Sequence, residues 1–338
     1  MELVESTERI RTTVIFNKLS KPKPSIVYDT YWRFATERQN IFFKRYNEEW
    51  QPWTKDIILK TYKFTNAYRA ADRVSQYLIK NIINKGNQHP NELFFRIILF
   101  KIFNRISTWE TLENELGRIT YKDYSFSKYN RVLTKLMNSG VPIYSAAYIM
   151  ASGKSFFGWE KKHENHLKLL ELMIKDKVPY KLQQCRSMQD AYSLLLSYPT
   201  IGDFLAYQYI TDINYSNLTD YSEMEFVKAG PGAKDGILKC FKDFGDYSFE
   251  DIIQMMADKQ EVEFQRLNLD FKTLWGRNLQ LIDCQNIFCE VDKYSRMAHP
   301  EISGYSNRTR IKQVFTDERK EPIKFQFPNK WNINQLIK

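Results

Sequence analysis

Apolar residues recur along most of the chain with a period near 3.6, the spacing that places them on one side of an α-helix. In segment 279–298 this period is carried by Leu281, Cys284, Phe288 and Val291. The same period predicts helices in segments 35–50, 56–83, 91–107, 164–177 and 188–197. No segment keeps the two-residue alternation of a strand between hairpin turns. The pattern therefore predicts a mostly α fold.

The most apolar stretch, Leu93–Phe103, is interrupted by Arg96 and Lys101. It is shorter than the roughly 18 to 20 residues that a membrane-spanning helix needs, so we interpret it as a buried helix. The first residues contain neither the apolar core nor the cleavage site of a secretory signal. We expect a cytoplasmic protein with no membrane partner.

Proline and glycine interrupt the helical pattern at residues 21–25, 84–91, 138–142, 229–236 and 299–304. The first and last of these interruptions bracket a compact body. We predict an N-terminal arm at 1–29, a helical body at 30–298 and a C-terminal basic arm at 299–338. A boundary between two lobes of the body is expected within 110–170.

The charged residues, cysteines and histidines indicate which partners and metals the protein could bind. The formal net charge is +10, which favours polyanions such as nucleic acid, although many basic proteins bind none. The 4 cysteines form no CxxC pair and there are only 4 histidines, so we predict free buried thiols, no metal and no cofactor. We expect His163 and His166, one helical turn apart, on a solvated helix face.

The stretch "SYPTIGDFLAYQYITDINYS", residues 197–216, places the turn Pro199–Gly202 between two helical patterns. This turn resembles the helix-hairpin-helix element of DNA glycosylases, in which a glycine hairpin and the next helix's amides bind a DNA phosphate. The resemblance implies DNA contacts at Thr200 and Gly202. Thr200 replaces the usual first glycine and Asp203 follows directly, so a plain corner between two helices also fits.

The same resemblance implies a catalytic acid about twenty residues beyond the hairpin, where Asp220 and Glu223 lie. A carboxylate there would stabilise the positive charge that develops on deoxyribose as a glycosidic bond breaks. The alternative is that these two acids cap a following helix. Phe204 lies near the position where bifunctional glycosylases carry a Schiff-base lysine, so we expect no strong lyase activity.

Five motifs, in order over about residues 30–335, give a narrower resemblance: segments 52–78, 139–150, 202–216, 220–237 and 283–296. They resemble the helical domain of hydroxymethyluracil DNA kinases and the alpha-glutamyl/putrescinyl thymine pyrophosphorylases, a phage-associated family related to helix-hairpin-helix glycosylases. One branch is similar to phage-defence glycosylases that remove modified bases. The resemblance implies a helix-hairpin-helix glycosylase-like body with two lobes around a cleft. The P-loop pattern GxxxxGK[ST] does not occur, so we expect no phosphorylation by that route.

Other motif residues are candidates for binding DNA or an extruded base. Asn66, Arg69 and Arg73 are spaced for one helix side, where they would bind a phosphate or a base edge, and a solvated face is the alternative. Lys234, in "GPGAKDG", begins a helix that would attract an anion, with a simple turn as the alternative. Asn286 and Glu290 are further candidates, and Glu290 could instead form a surface pair with Lys293. Tyr144 and Tyr148 could stack on an extruded base or pack in the core.

These inferences lead to one hypothesis and two alternatives. The leading hypothesis is a monomeric, monofunctional DNA glycosylase that extrudes and excises hypermodified pyrimidines, such as glucosylated hydroxymethyl-pyrimidine, from double-stranded phage DNA. It would leave abasic sites and act in antiviral defence, with Asp220, Glu223 and secondarily Glu290 as its acids. The first alternative is a hypermodification transferase or pyrophosphorylase acting on phosphorylated hydroxymethyluracil in DNA. The second is a protein that binds modified bases without chemistry.

Overall fold

The computed structural model describes residues 19–146, 156–316 and 324–337, and these are mostly helical, as the sequence predicts. The helices are α1 Val27–Tyr46, α2 Ile57–Thr61, α3 Arg73–Tyr77, α4 Pro90–Phe103, α5 Ile106–Leu116, α6 Phe126–Asn138, α7 Lys162–Lys175, α8 Val178–Gln184, α9 Met188–Leu196, α10 Asp203–Ile213, α11 Pro231–Cys240, α12 Phe249–Arg266 and α13 Leu281–Ala298. Two short antiparallel strands, β1 Lys23–Pro24 and β2 Phe241–Asp243, pair with each other. The more detailed glycosylase-like, two-lobed architecture and the domain bounds stay predictions.

The core forms where α13 packs against α1, α11 and α12. The four periodic apolar residues of α13, Leu281, Cys284, Phe288 and Val291, are all buried. The helix predicted from their spacing is therefore confirmed. The backbones of α11 and α13 approach very closely at Gly236, where a Cβ atom would lie 2.0 Å from the carbonyl oxygen of Phe288. Glycine at this position therefore allows α11 to pack directly on α13.

Helix α4 is buried along its length, which confirms that the run Leu93–Phe103 is a core helix. None of the helices in the described part of the chain is both long and apolar enough to cross a membrane. The expected solvated face at His163 and His166 is wrong, because both side chains are fully buried in α7. Asn130 on α6 provides a partner for His163, and Tyr144 provides one for His166.

Segment 56–83 does not form the continuous helix that its period predicts. Helix α2 ends at Thr61, and the chain then runs extended beside residues 313–315, with Lys63 N donating to Gln313 O at 3.0 Å. A 3₁₀ turn at Arg69–Ala71, helix α3 and a π-helical stretch at Leu78–Ile83 follow. Tertiary pairing therefore overrides the local pattern here.

The described C-terminal residues 324–337 pack onto this broken segment. Gln326 exchanges two hydrogen bonds with the side chain of Gln76 on α3, at 2.9 and 3.0 Å. Phe327 is completely buried, and its ring lies near those of Trp275 and Phe325. In the same segment, Lys330 contacts Asn214 and Trp331 contacts Tyr215, both just after α10.

Candidate functional site

The turn between α9 and α10 contains one residue with a positive φ at the position where the predicted hairpin would have its first glycine. Thr200 adopts a left-handed conformation with φ of 67°, which L-residues other than glycine, asparagine and aspartate rarely adopt. Gly202 is exposed and is the N-cap residue of α10. The turn thus presents the first amides of α10 toward solvent, where they could meet an anion.

The segment that follows α10 carries the two predicted acids, and the structure separates them. The side chain of Asp220 is 88% exposed and its carboxylate lies 3.4 Å from Lys330 Nζ. The side chain of Glu223 is only 7% exposed. Neither acid caps a helix, because residues 219–226 are non-helical and the next helix, α11, has Gly230 at its N-cap. The helix-capping alternative is therefore wrong.

Glu223 is held by two donors that come from far along the chain. Its Oε1 accepts hydrogen bonds from Arg277 Nη2 and Trp331 Nε1, both at 2.8 Å. The Arg277 guanidinium lies over the Trp331 ring, 3.9 Å from its centroid. Burial raises the pKa of Glu223, an effect that Arg277, Trp331 and Lys330 oppose only in part. We call Glu223, Arg277, Trp331 and Lys330 the Glu223 centre.

Lys330 closes the edge of the Glu223 centre. Its ammonium donates to the carbonyl oxygen of Thr219 at 2.6 Å and lies 3.4 Å from Asn214 Oδ1. Burial lowers the pKa of Lys330, while Asp220 and Glu223 act in the opposite direction. Two cations, Arg277 and Lys330, therefore flank one buried carboxylate.

A buried ion-pair network lies next to the Glu223 centre. Arg69 donates to both carboxylate oxygens of Asp212, at 2.7 and 3.0 Å, and Lys101 Nζ lies 3.0 Å from the same carboxylate. Arg69 also donates to the hydroxyl of Tyr215 at 3.2 Å. The Tyr215 ring is edge-on to Trp331, with centroids 5.7 Å apart, and so connects the network to the centre.

The polar start of α13 completes this region. Asp283 accepts hydrogen bonds from the backbone amides of Arg69 at 2.8 Å and Gln280 at 3.0 Å. Burial raises the pKa of Asp283 to about 7, although these two hydrogen bonds act against the shift. Asp283 therefore fixes the start of α13 to the 3₁₀ turn at Arg69–Ala71.

Three predicted site residues hold the 65–72 loop in place. Asn66 accepts from Arg38 at 2.9 Å and donates to the carbonyl oxygen of Ala71, and Asn286 donates to Thr65 Oγ1 at 3.0 Å. Glu290 accepts from the amide of Thr65 at 2.9 Å and pairs with Lys293 at 2.8 Å, with side chains 12% and 16% exposed. Because the Glu290–Lys293 pair is largely covered, the surface-pair alternative is wrong.

The remaining predicted residues lie apart from the Glu223 centre. Arg73 is exposed at the start of α3 while Arg69 is buried in the preceding turn, so the expected helical stripe of Asn66, Arg69 and Arg73 does not exist. Lys234 lies in the first turn of α11, above the ring of Phe249. Tyr144 packs on Phe103 and bonds His166. Tyr148 lies outside the described residues.

Sequence reasoning missed Asp212, Tyr215, Arg277 and Trp331. Asp212 lies in α10 and Tyr215 in the turn after it, so their distance from Gly202 was the available signal. Arg277 and Trp331 lie 54 and 108 residues from Glu223 and have no local pattern that marks them.

Two open cavities lie elsewhere on the molecule. One, of about 680 Å³, is lined by residues of α12 and the loop after it, including Gln260, Phe264 and Asp270. The other, of about 540 Å³, is lined by α1 and α13 residues, including Arg33, Glu37 and Tyr294. Neither cavity is lined by the Glu223 centre, where Trp331 covers the carboxylate. We place the candidate site at the Glu223 centre because three largely covered charged groups converge there, whereas both cavities are open to solvent.

An exposed basic surface is formed by the extended residues near α2. The carbonyl oxygen of Thr61 accepts from the amide of Phe315 at 2.9 Å, and the Lys63 pairing continues this contact. The exposed cations on this surface, which we call the basic edge, are Lys63, Arg308, Arg310 and Lys312. Backbone pairing holds residues 61–63 beside residues 313–315, so Lys63 lies near Lys312, and Arg308 and Arg310 precede Lys312 in the same exposed segment.

Comparison with known proteins defines the class to which this helical chain belongs. A protein-family model described as "5-hmdU DNA kinase, helical domain" matches residues 25–304. The chain belongs to this family of helical domains. It is 27% identical over 286 residues to a protein named 5-hmdU DNA kinase from Bacillus phage SP10. That alignment covers 79% of this chain and 45% of the phage protein, so the chain spans less than half of this relative. No solved structure matches the chain.

These matches correct the leading functional hypothesis. The family and the phage relative are both named as DNA kinases, which transfer a phosphoryl group, whereas a glycosylase hydrolyses a glycosidic bond. The prediction of a monofunctional glycosylase that leaves abasic sites is therefore wrong. The resemblance to the hydroxymethyluracil DNA kinase family is confirmed. The matches favour the alternative that places the chain in base hypermodification.

Proposed function

We propose that this chain acts in the hypermodification of DNA. It binds DNA that carries 5-hydroxymethyluracil and holds this nucleotide, extruded from the duplex, at the Glu223 centre. The observation that carries the proposal is the largely covered Glu223–Arg277 pair, with its 2.8 Å contact, in a chain of the 5-hmdU DNA kinase family. A paired acid and guanidinium beside an aromatic ring supply the groups that recognise a pyrimidine.

The chemistry of the base matches the Glu223 centre. A uracil ring has one N–H donor and two carbonyl acceptors, and the 5-hydroxymethyl group adds a hydroxyl that donates and accepts. The Glu223 carboxylate accepts from an N–H or O–H group, and the Arg277 guanidinium donates to a carbonyl. Because these groups are half-buried or buried, only an extruded nucleotide could reach them.

Two surfaces support binding of the DNA backbone. The amides at the start of α10 follow Gly202, which is exposed, and the basic edge carries four exposed cations on neighbouring extended segments. Cations along a surface bind phosphates and release counterions, which makes affinity depend on salt. The 62–72 loop runs from the basic edge at Lys63 to Arg69, next to the Glu223 centre.

A second candidate is that the ligand is the phosphorylated form of the same base. The pair of cations at the centre, Arg277 and Lys330, favours an added anion on the hydroxymethyl group. The chain would then act after phosphorylation, as a transferase of the pathway. Duplexes that carry the phosphorylated or the unphosphorylated base separate the two candidates, because tighter binding identifies the form that the centre takes.

The test is a comparison of two duplexes of one sequence that differ at a single position, 5-hydroxymethyluracil or thymine. We expect tighter binding of the modified duplex, measured by fluorescence anisotropy. Glu223→Gln should remove most of this preference, because the neutral amide is a weaker acceptor for the 5-hydroxymethyl O–H group, which thymine lacks. Asp220→Asn, at the exposed acid nearby, is the matched control and should keep the preference. Equal binding of both duplexes by the unmodified protein would reject the proposal.

A further inference from the structure

The indole of Trp331 lies against two flat groups. The Arg277 guanidinium lies over the indole, 3.9 Å from the ring centroid. The ring of Phe327 is nearly parallel to the indole, with an interplanar angle of 15° and centroids 5.9 Å apart. Tyr215 closes the edge, and Glu223 accepts the indole N–H at 2.8 Å. We call these four groups, Arg277, Phe327, Tyr215 and Glu223, the Trp331 slot.

The groups of this slot are those that proteins use to hold nucleobases. Guanidinium planes and aromatic rings stack on the π faces of unstacked bases, and a carboxylate selects a ring N–H group. An indole and a pyrimidine share the two features that this slot contacts, a flat ring and one ring N–H. Trp331 therefore makes the contacts that an extruded uracil-type base would make in its place.

The backbone around Trp331 is anchored on both sides. Phe327 and Ile333 are buried, and Asn334 exchanges hydrogen bonds with the backbone of Phe327 at 2.8 and 2.9 Å. Trp331 itself ends a single 3₁₀ turn, Asn329–Trp331, and is followed by Asn332 in a left-handed conformation with φ of 54°. The indole can therefore leave the slot by rotation of its side chain while the anchors on either side stay in place.

We propose that the Trp331 slot is the position of the extruded base and that Trp331 competes for it. This inference rests on the function proposed above and adds where the base lies and what excludes it. The indole covers Glu223 until a base replaces it. A base that fits the slot recovers the stack on Arg277 and the hydrogen bond to Glu223. When Trp331 occupies the slot, no base can bind there. The apparent affinity for DNA is therefore the intrinsic affinity multiplied by the fraction of molecules whose slot is open.

The test measures DNA affinity after the indole is removed. Trp331→Ala should bind the 5-hydroxymethyluracil duplex about tenfold or more tightly than the unmodified protein, because the slot is then open. Binding of the thymine duplex should tighten by a similar factor, because thymine has the same flat ring and ring N–H group. Trp331→Phe keeps a ring but no N–H group, so it should lie between the two. Equal or weaker binding of the modified duplex by Trp331→Ala and Trp331→Phe would overturn the inference, because Trp331 would then be part of the base contact or unrelated to it.

A second measurement tests the slot without DNA. Trp331→Gly leaves a space of indole shape, and added indole should raise the Tm of this variant but not of the unmodified protein. If added indole does not raise the Tm of Trp331→Gly, the inference that the Trp331 slot can hold another flat ring is wrong. The outcomes also separate the inference from the proposed function. If the unmodified protein prefers the modified duplex and Trp331→Ala binds it no more tightly, only the inference fails. If neither protein distinguishes the duplexes, the proposed function fails.

Discussion

Arg69 and Asp212 form a bidentate ion pair inside the protein, with contacts of 2.7 and 3.0 Å and side chains that are 7% and 0% exposed. Burial alone would raise the pKa of Asp212, but Arg69 and Lys101 hold it below its ordinary value. Arg69, which the sequence analysis predicted to contact a base, therefore binds Asp212 and joins the 3₁₀ turn at Arg69–Ala71 to α10.

Asp212→Asn should destabilise the protein strongly. The substitution leaves two buried cations without their shared carboxylate, which costs about 3 to 5 kcal/mol for a broken buried ion pair. Urea unfolding followed by circular dichroism at pH 7 measures the loss. Asp220→Asn, at a side chain that is 88% exposed, is the control and should change stability by less than about 0.5 kcal/mol. Similar small losses in both variants would contradict a structural role for the Arg69–Asp212 pair.

Asp283 should make stability depend on pH between its unfolded and folded pKa values. Its pKa in the folded protein is about 7, raised by burial, whereas an unfolded aspartate has a pKa of about 3.9. Between these values the folded state keeps the proton that the unfolded state releases. The contribution of Asp283 to stability is therefore greatest below about pH 4, falls as pH rises to about 7, and is constant above that.

Asp283→Asn, which does not titrate, provides the comparison for this prediction. The free energy of unfolding of the unmodified protein, relative to the variant, should fall by a few kcal/mol between pH 4.5 and 7.5. Urea unfolding of both proteins across this range measures the difference. Other titrating groups are common to both proteins and cancel. Parallel curves would show that Asp283 is ionised throughout, with its hydrogen bonds from Arg69 and Gln280 outweighing burial.

The sequence predicted the parts of the fold that depend on local period. The helix that carries Leu281 and Val291 has only one way to bury its apolar face, and α4 has apolar residues on most of its circumference, so both were recognisable. Segment 56–83 has the same period but is broken, because the chain after Thr61 pairs with residues 313–315. A contact with a segment some 250 residues away leaves no mark in the local pattern.

The candidate site was predictable only in part, for the same reason. Glu223 was one of two acids singled out by their distance from Gly202, whereas Arg277 and Trp331 meet it from remote segments. The cation–aromatic contact between these two residues exists only after the chain folds. Likewise, the charged residues around His166 in the sequence predict a solvated face. In the structure His166 is buried, because Tyr144 from another segment provides a hydrogen-bond partner.

Thr200→Gly should stabilise the protein. Thr200 has φ of 67°, a conformation that costs a non-glycine residue roughly 1 to 2 kcal/mol, and glycine adopts it freely. Glycine also loses more conformational entropy on folding, so the net gain should be roughly 0.5 to 1 kcal/mol. Thermal and urea unfolding measure it. The matched control is Thr111→Gly, within α5, where glycine should destabilise because the helical backbone already suits threonine. A loss of stability in Thr200→Gly would contradict the strain.

The basic edge should contribute affinity without base preference. Replacing Arg308, Arg310 and Lys312 by alanine should weaken binding of modified and thymine duplexes by the same factor, because phosphates carry no base information. The slope of log affinity against log salt should decrease by roughly 2 to 3, about 0.9 for each phosphate that the variant no longer neutralises. Anisotropy titrations at several salt concentrations measure both quantities.

The control for the basic edge removes the same charge from another surface. Lys122, Lys128 and Arg131 are exposed on and just before α6, and their replacement by alanine should change affinity and salt slope much less. Equal effects of the two triple variants would show that net charge, and not the position of the basic edge, attracts DNA. A changed preference for 5-hydroxymethyluracil in the first triple variant would instead place the basic edge in contact with the base. Because the Glu223 centre is built from other residues, we expect that preference to stay unchanged.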